Sequence, residues 1–584
     1  MVVVKIQNHG IQMALLHSIR VGFVEVGEVW RDLAFRLHFV AKVQDSSPQK
    51  RSFFAWKKSQ PFWLVAQCSE VENLTAGNQL KKPSPTMAHD PRSPRALKTK
   101  TPKDDESDKL SALPDEILCH ILSFLPSETA AATSVLSTRW KDLFTSLPVI
   151  DLTISKNWDA KIGEERRRDL CNFQKFLSRL IFLRNKAPIR KFQLNVSPPL
   201  VEDLRPGIYW LISKVLSRQV QEVDICVPGD RDSTGLLLYP PEIFTCATLT
   251  SLTMTMKSSF NFNPPDSVSL PNLKVLRLNE FALTDQDSFA RVIQACPLLE
   301  DLGLRWRFWK FEFMDLRISA PLLKRLALSC YFGQYSLMVE SDNLEYLDCN
   351  VYGVHKLVIN APYLKYFKCQ GPPVRVEFVQ DVRNILNATV AFKYRKEEFE
   401  STLVLYHRQN LKSLEAFELV NGLQYAKSLR FQSGMKILYY AGEFLPTFVN
   451  LSSLALDDSI YSYHYSSWWL NLIARLLENA PNLEALEIVS SVFDHNFGVE
   501  QLGIFLQTAF PARPIRHLKE LKIILGHDQE FGFKLAEYFL EIGKSLKKMT
   551  LRGSIKGCES SPEVYNRILS FKKSSEHCRI VFEP

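Results

Sequence analysis

The chain lacks every common catalytic signature. It contains no Gly-x-x-x-x-Gly-Lys-Ser/Thr, no Gly-x-Gly-x-x-Gly, no His-Glu-x-x-His and no Gly-x-Ser-x-Gly. Phosphate loops, dinucleotide sites, helical zinc sites and nucleophile elbows each need those residue types at those spacings. The 12 histidines are dispersed, and His464, His495 and His527 show no ligand spacing. Cys119 lies among apolar residues with no base beside it, as a structural thiol does. The 11 cysteines include no Cys-x-x-Cys pair. An odd, scattered set of thiols implies a reduced compartment, cytoplasm or nucleus. There the Asn-x-Ser/Thr matches at Asn73, Asn195, Asn387 and Asn450 are chance matches rather than glycosylation sites. No run of about 18 apolar residues exists, so no transmembrane helix is expected. Residues 1–24 hold Lys5 and Arg20 and no acid, a weak likeness to an import presequence, and His17 with Arg20 interrupts any signal-peptide core.

Basic charge is also scarcer than it first looks. The formal net charge is +9, but residues 1–107 carry 16 Lys/Arg against 10 Asp/Glu, and the rest carries 56 against 53. The larger part has no basic excess, which argues against nucleic acid as its main partner. With 46% apolar residues, the 584-residue chain can bury a sizeable core. Residues 1–75 have apolar stretches without a sustained period. Residues 78–107 hold five prolines and the run Asp104, Asp105, Glu106, the composition of a disordered linker.

Residues 108–148 carry an all-helical pattern. Pro114 stands where a first turn begins, and Asp115 and Glu116 follow where the helix dipole favours anions. Ile117, Leu118, Ile121, Leu122 and Leu125 form one apolar stripe, and Pro126 ends it. Ser127 is placed to cap a second helix with Ala131, Val135, Leu136, Trp140, Leu143 and Phe144 on its apolar side. Periodicity alone also allows a helical hairpin packed on its own domain. So short a module has more apolar surface than it can bury, which points to a partner.

Leu113, Pro114, Glu116, Leu118, Ile121, Leu122, Ser123, Leu125 and Pro126, followed by Thr133 to Arg139, Trp140, Lys141 and Leu143, closely resemble the F-box of plant F-box proteins. The resemblance implies docking onto a Skp-type adaptor and, through it, a cullin and a RING subunit. It also implies adaptor contacts at Leu113, Pro114, Ile117, Leu118, Ile121, Leu122, Val135, Leu136 and Trp140, some of which must instead form the module's core. Proteins of this kind begin close to their F-box. Met87 stands just before it here, so residues 1–86 are expected to be dispensable, either a gene-model artefact or a lineage-specific extension.

A second signal is an internal repeat. Pro-x-Leu-x-x-Leu-x-Leu recurs with drift from Pro271, Pro297, Pro321, Pro362 and Pro481, and copies without the proline begin at Leu249, Leu344, Leu411, Leu451, Leu518 and Leu546. Its last two leucines share one face of a short strand, and each unit exposes an apolar edge that only the next can cover. Amphipathic helices are expected on two return paths, at Phe289, Val292, Ile293 and at Leu472, Ile473, Leu476, Leu477. Cys349 and Cys369 stand where leucine would. The pattern is a degenerate leucine-rich repeat; the asparagine usual after its strand is mostly absent. From about His517 a strand, helix, strand, helix and last strand form a small α/β cap that looks like the FBD domain ending many plant F-box proteins.

The expected architecture is α/β: an N-terminal extension and linker over 1–107, an all-helical F-box over 108–154, a leucine-rich-repeat solenoid over 185–505, and an FBD-like cap over 506–584. The resemblance implies a non-catalytic substrate receptor of an SCF-type ubiquitin ligase, with neither cofactor nor metal. The alternatives are a scaffold with a non-degradative role and a small-molecule-dependent receptor. The third, fifth and seventh places of each repeat strand face outward, so target contacts are expected at Arg277, Asp301, Arg305, Arg325, Tyr346, Asp348, Tyr366 and Lys368. Arginine and tyrosine are enriched at protein-binding hot spots.

Overall fold

A computed structural model of the chain describes residues 110, 112–154, 164–184, 187–196, 201–228, 239–262, 264–283, 286–306, 313–330, 334–352, 354–393, 413–440, 445–457, 467–490, 506, 515–525, 529–553, 567–568 and 570–583. The linker, Met87, His464, His495, His527 and positions 510–514 lie outside them. The chain divides into two compact units, one ending at Leu249 and one starting at Thr250. No described helix is long and apolar enough to cross a membrane.

The first unit opens with three short helices, α1 (Asp115–Leu122), α2 (Ser127–Thr133) and α3 (Thr138–Ser146). Two sequence expectations need correction here. Ser127 does not cap α2: Pro126 holds that position, and the Ser127 hydroxyl instead accepts the Asp151 N–H at 2.9 Å. The expected second helix is also broken. Ser137 caps α3, its side chain accepting the Trp140 N–H, so Val135 and Leu136 fall in a connection. A serine three residues before Trp140 was the legible signal for that break.

Parallel strands follow at once: β1 (Val149–Ile154), β2 (Lys191–Val196) and β3 (Glu222–Pro228). α4 (Glu164–Leu183) and α5 (Val201–Leu216) return the chain between them. The strand ladder therefore begins at Val149, upstream of the expected residue 185 and inside the segment assigned to the F-box. Hydrophobic drift in β1–β3 hid the phrase, whereas the burial alternation of β2 retains it. Arg184, buried at the end of α4, donates from Nη1 to the Leu147 carbonyl at 2.6 Å. It ties the helical module to the first return helix.

Glu128 on α2 is largely withdrawn from water, and Asp151 adds a like charge. Burial first, then that charge, push its carboxyl up to about 7. The folded state therefore holds a proton that the unfolded chain releases near pH 4.5. The stability this one group contributes is fully present below that value and is lost as pH rises through about 7. We expect Glu128→Gln to raise the melting temperature at pH 7.5 and leave it unchanged at pH 4. An equal shift at both values would remove the charge explanation.

The second unit carries the repeats on one parallel sheet. Its strands are β4 (Ser251–Phe262), β5 (Val275–Leu283), β6 (Asp301–Trp306), β8 (Arg325–Cys330), β10 (Tyr346–Val351), β12 (Tyr366–Gly371), β14 (Asn387–Phe392), β15 (Ser428–Gln432), β16 (Ser453–Asp457), β17 (Ala485–Ser490), β18 (Glu520–Leu525), β19 (Lys548–Gly553) and β20 (Arg579–Glu583), neighbours in that order. Return helices include α6 (Gln286–Gln294), α8 (Ser467–Glu478) and α9 (Gln529–Ile542), with the short α7 (Lys436–Tyr440) after β15. The helices expected at Phe289 and at Leu472 are α6 and α8.

Between β6 and β14 the return path is instead a second, four-stranded parallel sheet of β7 (Phe313–Ser319), β9 (Gln334–Glu340), β11 (Val354–Asn360) and β13 (Arg375–Phe378). Repeat length decides the difference. Equivalent residues Glu345 and Lys365 are 20 apart, whereas Glu484 and Lys519 are 35 apart. A strand at about 3.3 Å per residue covers a given return in fewer residues than a helix at about 1.5 Å per residue. The copy read at Leu411 is also corrected. Residues 413–422 are helical, and the strand of that repeat is β15. Ala416, Leu419, Val420 and Leu423 are buried at helical spacing, which an L-x-x-L phrase satisfies equally well.

The prolines have a local cause. The first leucine of each phrase donates its N–H to the residue just before the proline: Leu299 to Cys296, Leu323 to Ala320, Leu364 to Ala361 and Leu483 to Ala480. Proline thus takes the second place of a four-residue turn, where its fixed φ is already correct. The residue before the first leucine of a phrase, or its equivalent, is asparagine in three repeats. Asn343 donates to the Pro321 carbonyl at 2.7 Å, Asn384 to that of Pro362 at 3.2 Å and Asn482 to that of Val449 at 2.9 Å. Each clips one repeat to the turn before it. Alternating charges add register on the same edge: Glu300 lies 3.6 Å from Lys274 and 2.8 Å from Lys324, and Glu345 lies 2.7 Å from Lys365. The Lys324 hydrogen bond and charge hold the Glu300 carboxyl below its ordinary range.

Candidate functional site

Two surfaces carry the residues singled out from sequence. In the helical module the structure divides the nine expected contacts. Leu118 and Leu122 have no exposed surface, Trp140 is 5% exposed and Ile121 is buried beside them. These four form the core with Leu125, Leu143 and Phe144 and offer a partner nothing. Pro114 and Val135 are exposed, and Leu113, Ile117 and Leu136 are partly so. Val135 is 45% exposed because the break between α2 and α3 turns it outward. Phe124, which sequence reading passed over, is 41% exposed and meets the His120 ring edge-on at 4.9 Å. Its signal was a large aromatic beside the stripe rather than on it.

Arg139 fixes the start of this module. Its Nε donates to the Asp115 carboxylate at 2.8 Å and its Nη2 to the Leu113 carbonyl at 2.7 Å. Charge-assisted bonds of this kind hold α1 against α3 and aim Pro114 and Ile117 outward. Burial, with Asp115 and Glu116 adding their charge, pushes the Cys119 thiol up, so it has little thiolate character.

The second surface is the open face of the repeat sheet. Register places the third positions in one row, Asp301, Arg325, Tyr346 and Tyr366, and the fifth positions in another, Arg277, Gly303, Ala327, Asp348 and Lys368. Arg277, Asp301, Arg305, Arg325, Tyr346, Asp348 and Lys368 all line one open groove of about 500 Å³. Tyr366 lies beside it, its ring 6.4 Å from that of Tyr346. On the opposite face Cys349 and Cys369 are paired in register and buried, as leucines would be. Burial pushes the Cys369 thiol up to about 12. Among the described residues no three His, Cys, Asp or Glu side chains converge to hold a metal ion.

Comparison with known proteins matches the segments that carry both surfaces. The family described as "F-box domain" matches residues 110–151, and "FBD-associated F-box protein At5g56370, LRR repeats" matches residues 209–385. The chain carries an F-box followed by leucine-rich repeats of the kind found in FBD-associated F-box proteins. It is similar to the Arabidopsis thaliana F-box/LRR-repeat protein At4g14096, 27% identical over 81% of this chain and 94% of that one. It is also similar to the F-box/FBD/LRR-repeat protein At5g22660 of the same plant, 28% identical over 81% of this chain and 96% of that one. F-box proteins of this kind are typically non-catalytic adaptors, and an F-box joined to leucine-rich repeats fits a substrate-recognition role in SCF ligases. F-boxes generally bind Skp-type adaptors.

Proposed function

We propose that this F-box protein is a substrate receptor of an SCF-type ubiquitin ligase. Its F-box docks a Skp-type adaptor through Leu113, Pro114, Ile117, Phe124, Val135 and Leu136, and a cullin and RING subunit follow through that adaptor. The open face of the repeats holds a protein target. The observation that carries this reading is apolar side chains left outside a module whose core is already closed by Leu118, Leu122 and Trp140. One chain then carries both target and ligase, so ubiquitin transfer gains from effective concentration rather than from residues of this chain. It works in the cytoplasm or nucleus, where its scattered thiols stay reduced.

Charge reversal at Arg277, Arg305 and Arg325 together tests the target surface. With the proteasome blocked, affinity capture of the triple variant is expected to lose its partners at least tenfold by quantitative mass spectrometry. Adaptor recovery should be unchanged. Recovery of the same partners at wild-type levels would move recognition to loops or to the C-terminal strands.

A further inference from the structure

The groove on the open face has a floor made by missing side chains. Gly303 and Ala327 occupy the fifth place on neighbouring strands, where the flanking repeats carry Arg277 and Asp348. Arg277 leans over Gly303, where a Cβ would lie 3.1 Å from its Cγ, so the open part of the floor lies over Ala327. Small residues at one level of two adjacent strands leave a notch, and long polar side chains from the next strands wall it.

The charges around that notch do not balance. Arg277, Arg305, Arg325 and Lys368 line it against Asp301 and Asp348. Each acid is already engaged, Asp301 with Arg277 at 2.9 Å and Asp348 with Lys368 at 2.9 Å. Arg305 reaches Glu280 only at 3.8 Å. Arg325 makes no ion pair within 4 Å among the described residues, although Asp301 stands next to it in register and its charge acts on Glu345; on its other side is Tyr346. The Arg325 guanidinium is exposed, with five donors and a rigid fork that suits a planar oxyanion.

We propose that this notch anchors an acidic residue of an extended peptide segment on the target, its carboxylate received by Arg325 and Arg305. The inference rests on the receptor reading above and adds the chemistry of the partner. A peptide fits the dimensions better than a small acid. The groove crosses β5, β6, β8, β10 and β12. At about 4.8 Å per strand that is roughly 19 Å, the length of about six extended residues. Tyr346 and Tyr366 continue the surface beyond the notch as two exposed rings, the kind of anchor that peptide side chains pack against.

The test probes the full chain with an array of random octapeptides. Bound peptides are expected to share an Asp or Glu at one position. Two variants separate charge from shape. Arg325→Gln removes the cation, and Ala327→Leu fills the notch without changing any charge. Each should lower binding of the selected peptides at least tenfold while adaptor binding stays at wild-type level. Acid-poor peptides, no selected peptides, or binding that survives both variants would overturn the proposal. Displacement of the peptide by free N-acetylglutamate at equal concentration would overturn the peptide assignment in favour of a small acid. A tenfold gain when phosphoserine replaces the acidic residue would overturn the carboxylate assignment. If peptide selection fails while the Arg277, Arg305 and Arg325 reversal still abolishes target capture, only this inference falls. If capture survives that reversal, the open-face target surface falls as well, and recognition lies on loops or the C-terminal strands.

Discussion

A chain carrying Ile117→Asp together with Val135→Asp is expected to bind a Skp-type adaptor at least a hundredfold more weakly and to melt where the parent does. Both side chains stand outside the core, so a carboxylate on each is solvated in the free chain and desolvated only in the complex. A hundredfold loss corresponds to about 2.7 kcal/mol, ordinary for hot-spot positions. Trp140→Ala should behave in the opposite way. That side chain lies in the core with Leu143 and Phe144, and its removal costs about 3–5 kcal/mol of module stability. Any loss of adaptor binding should then follow unfolding, read as an earlier melting transition. An Ile117/Val135 double variant that keeps full affinity, measured by titration calorimetry, would show that the adaptor engages some other surface.

The second large effect is expected at Gly434. It follows β15 with φ +66, a left-handed conformation that L side chains rarely adopt. A Cβ there would also overlap the Phe392 carbonyl oxygen on the neighbouring strand β14. Strain and overlap act together, and neither can relax without moving paired backbone, so Gly434→Ala should destabilise its repeats by at least about 3 kcal/mol. Stacked repeats lose stability locally, because each touches only its neighbours. Urea unfolding should therefore show a lowered midpoint for the repeats while the F-box still binds its adaptor. An unchanged midpoint would mean that the turn has other conformations open to it. Gly422 meets a related constraint, since a side chain there would run into the Phe378 ring at the end of the second sheet. These two glycines stand where the return path changes from strand to helix and where the chain leaves β15.

How much of this was legible in sequence varies element by element. Where leucine or its like fills the fourth and sixth places, as in Leu276 and Leu278 or Leu486 and Ile488, period and burial agree and the strand could be read directly. At β14 and β15 the phrase has drifted to Ala388 and Val390 or Leu429 and Phe431 without a proline turn, and neither was recognised. At Leu411 the phrase fits a helix as well as a strand, and the spacing of Ala416, Leu419 and Leu423 decided for the helix. The open-face residues were legible as outward-facing, because strand periodicity is two. Their gathering into one groove was not, because it depends on register between strands some twenty residues apart.

The sequence alone determined the F-box and the repeating strand. Pro114 with its two acids starts a helix by local chemistry, and Pro-x-Leu-x-x-Leu-x-Leu starts a turn and then a strand by local chemistry. Both signals need no distant contact. Tertiary structure alone decided which apolar side chains of the F-box lie inside and which are left for a partner, since the Ser137 cap and the packing of α1 on α3 set that division. It also decided whether a return path is strand or helix, through the length each repeat must span. Most of all, it decided that four scattered cations and two small residues meet at one notch. Hydrogen-bonded register between parallel strands is a property of neighbours in space, and no single repeat contains it.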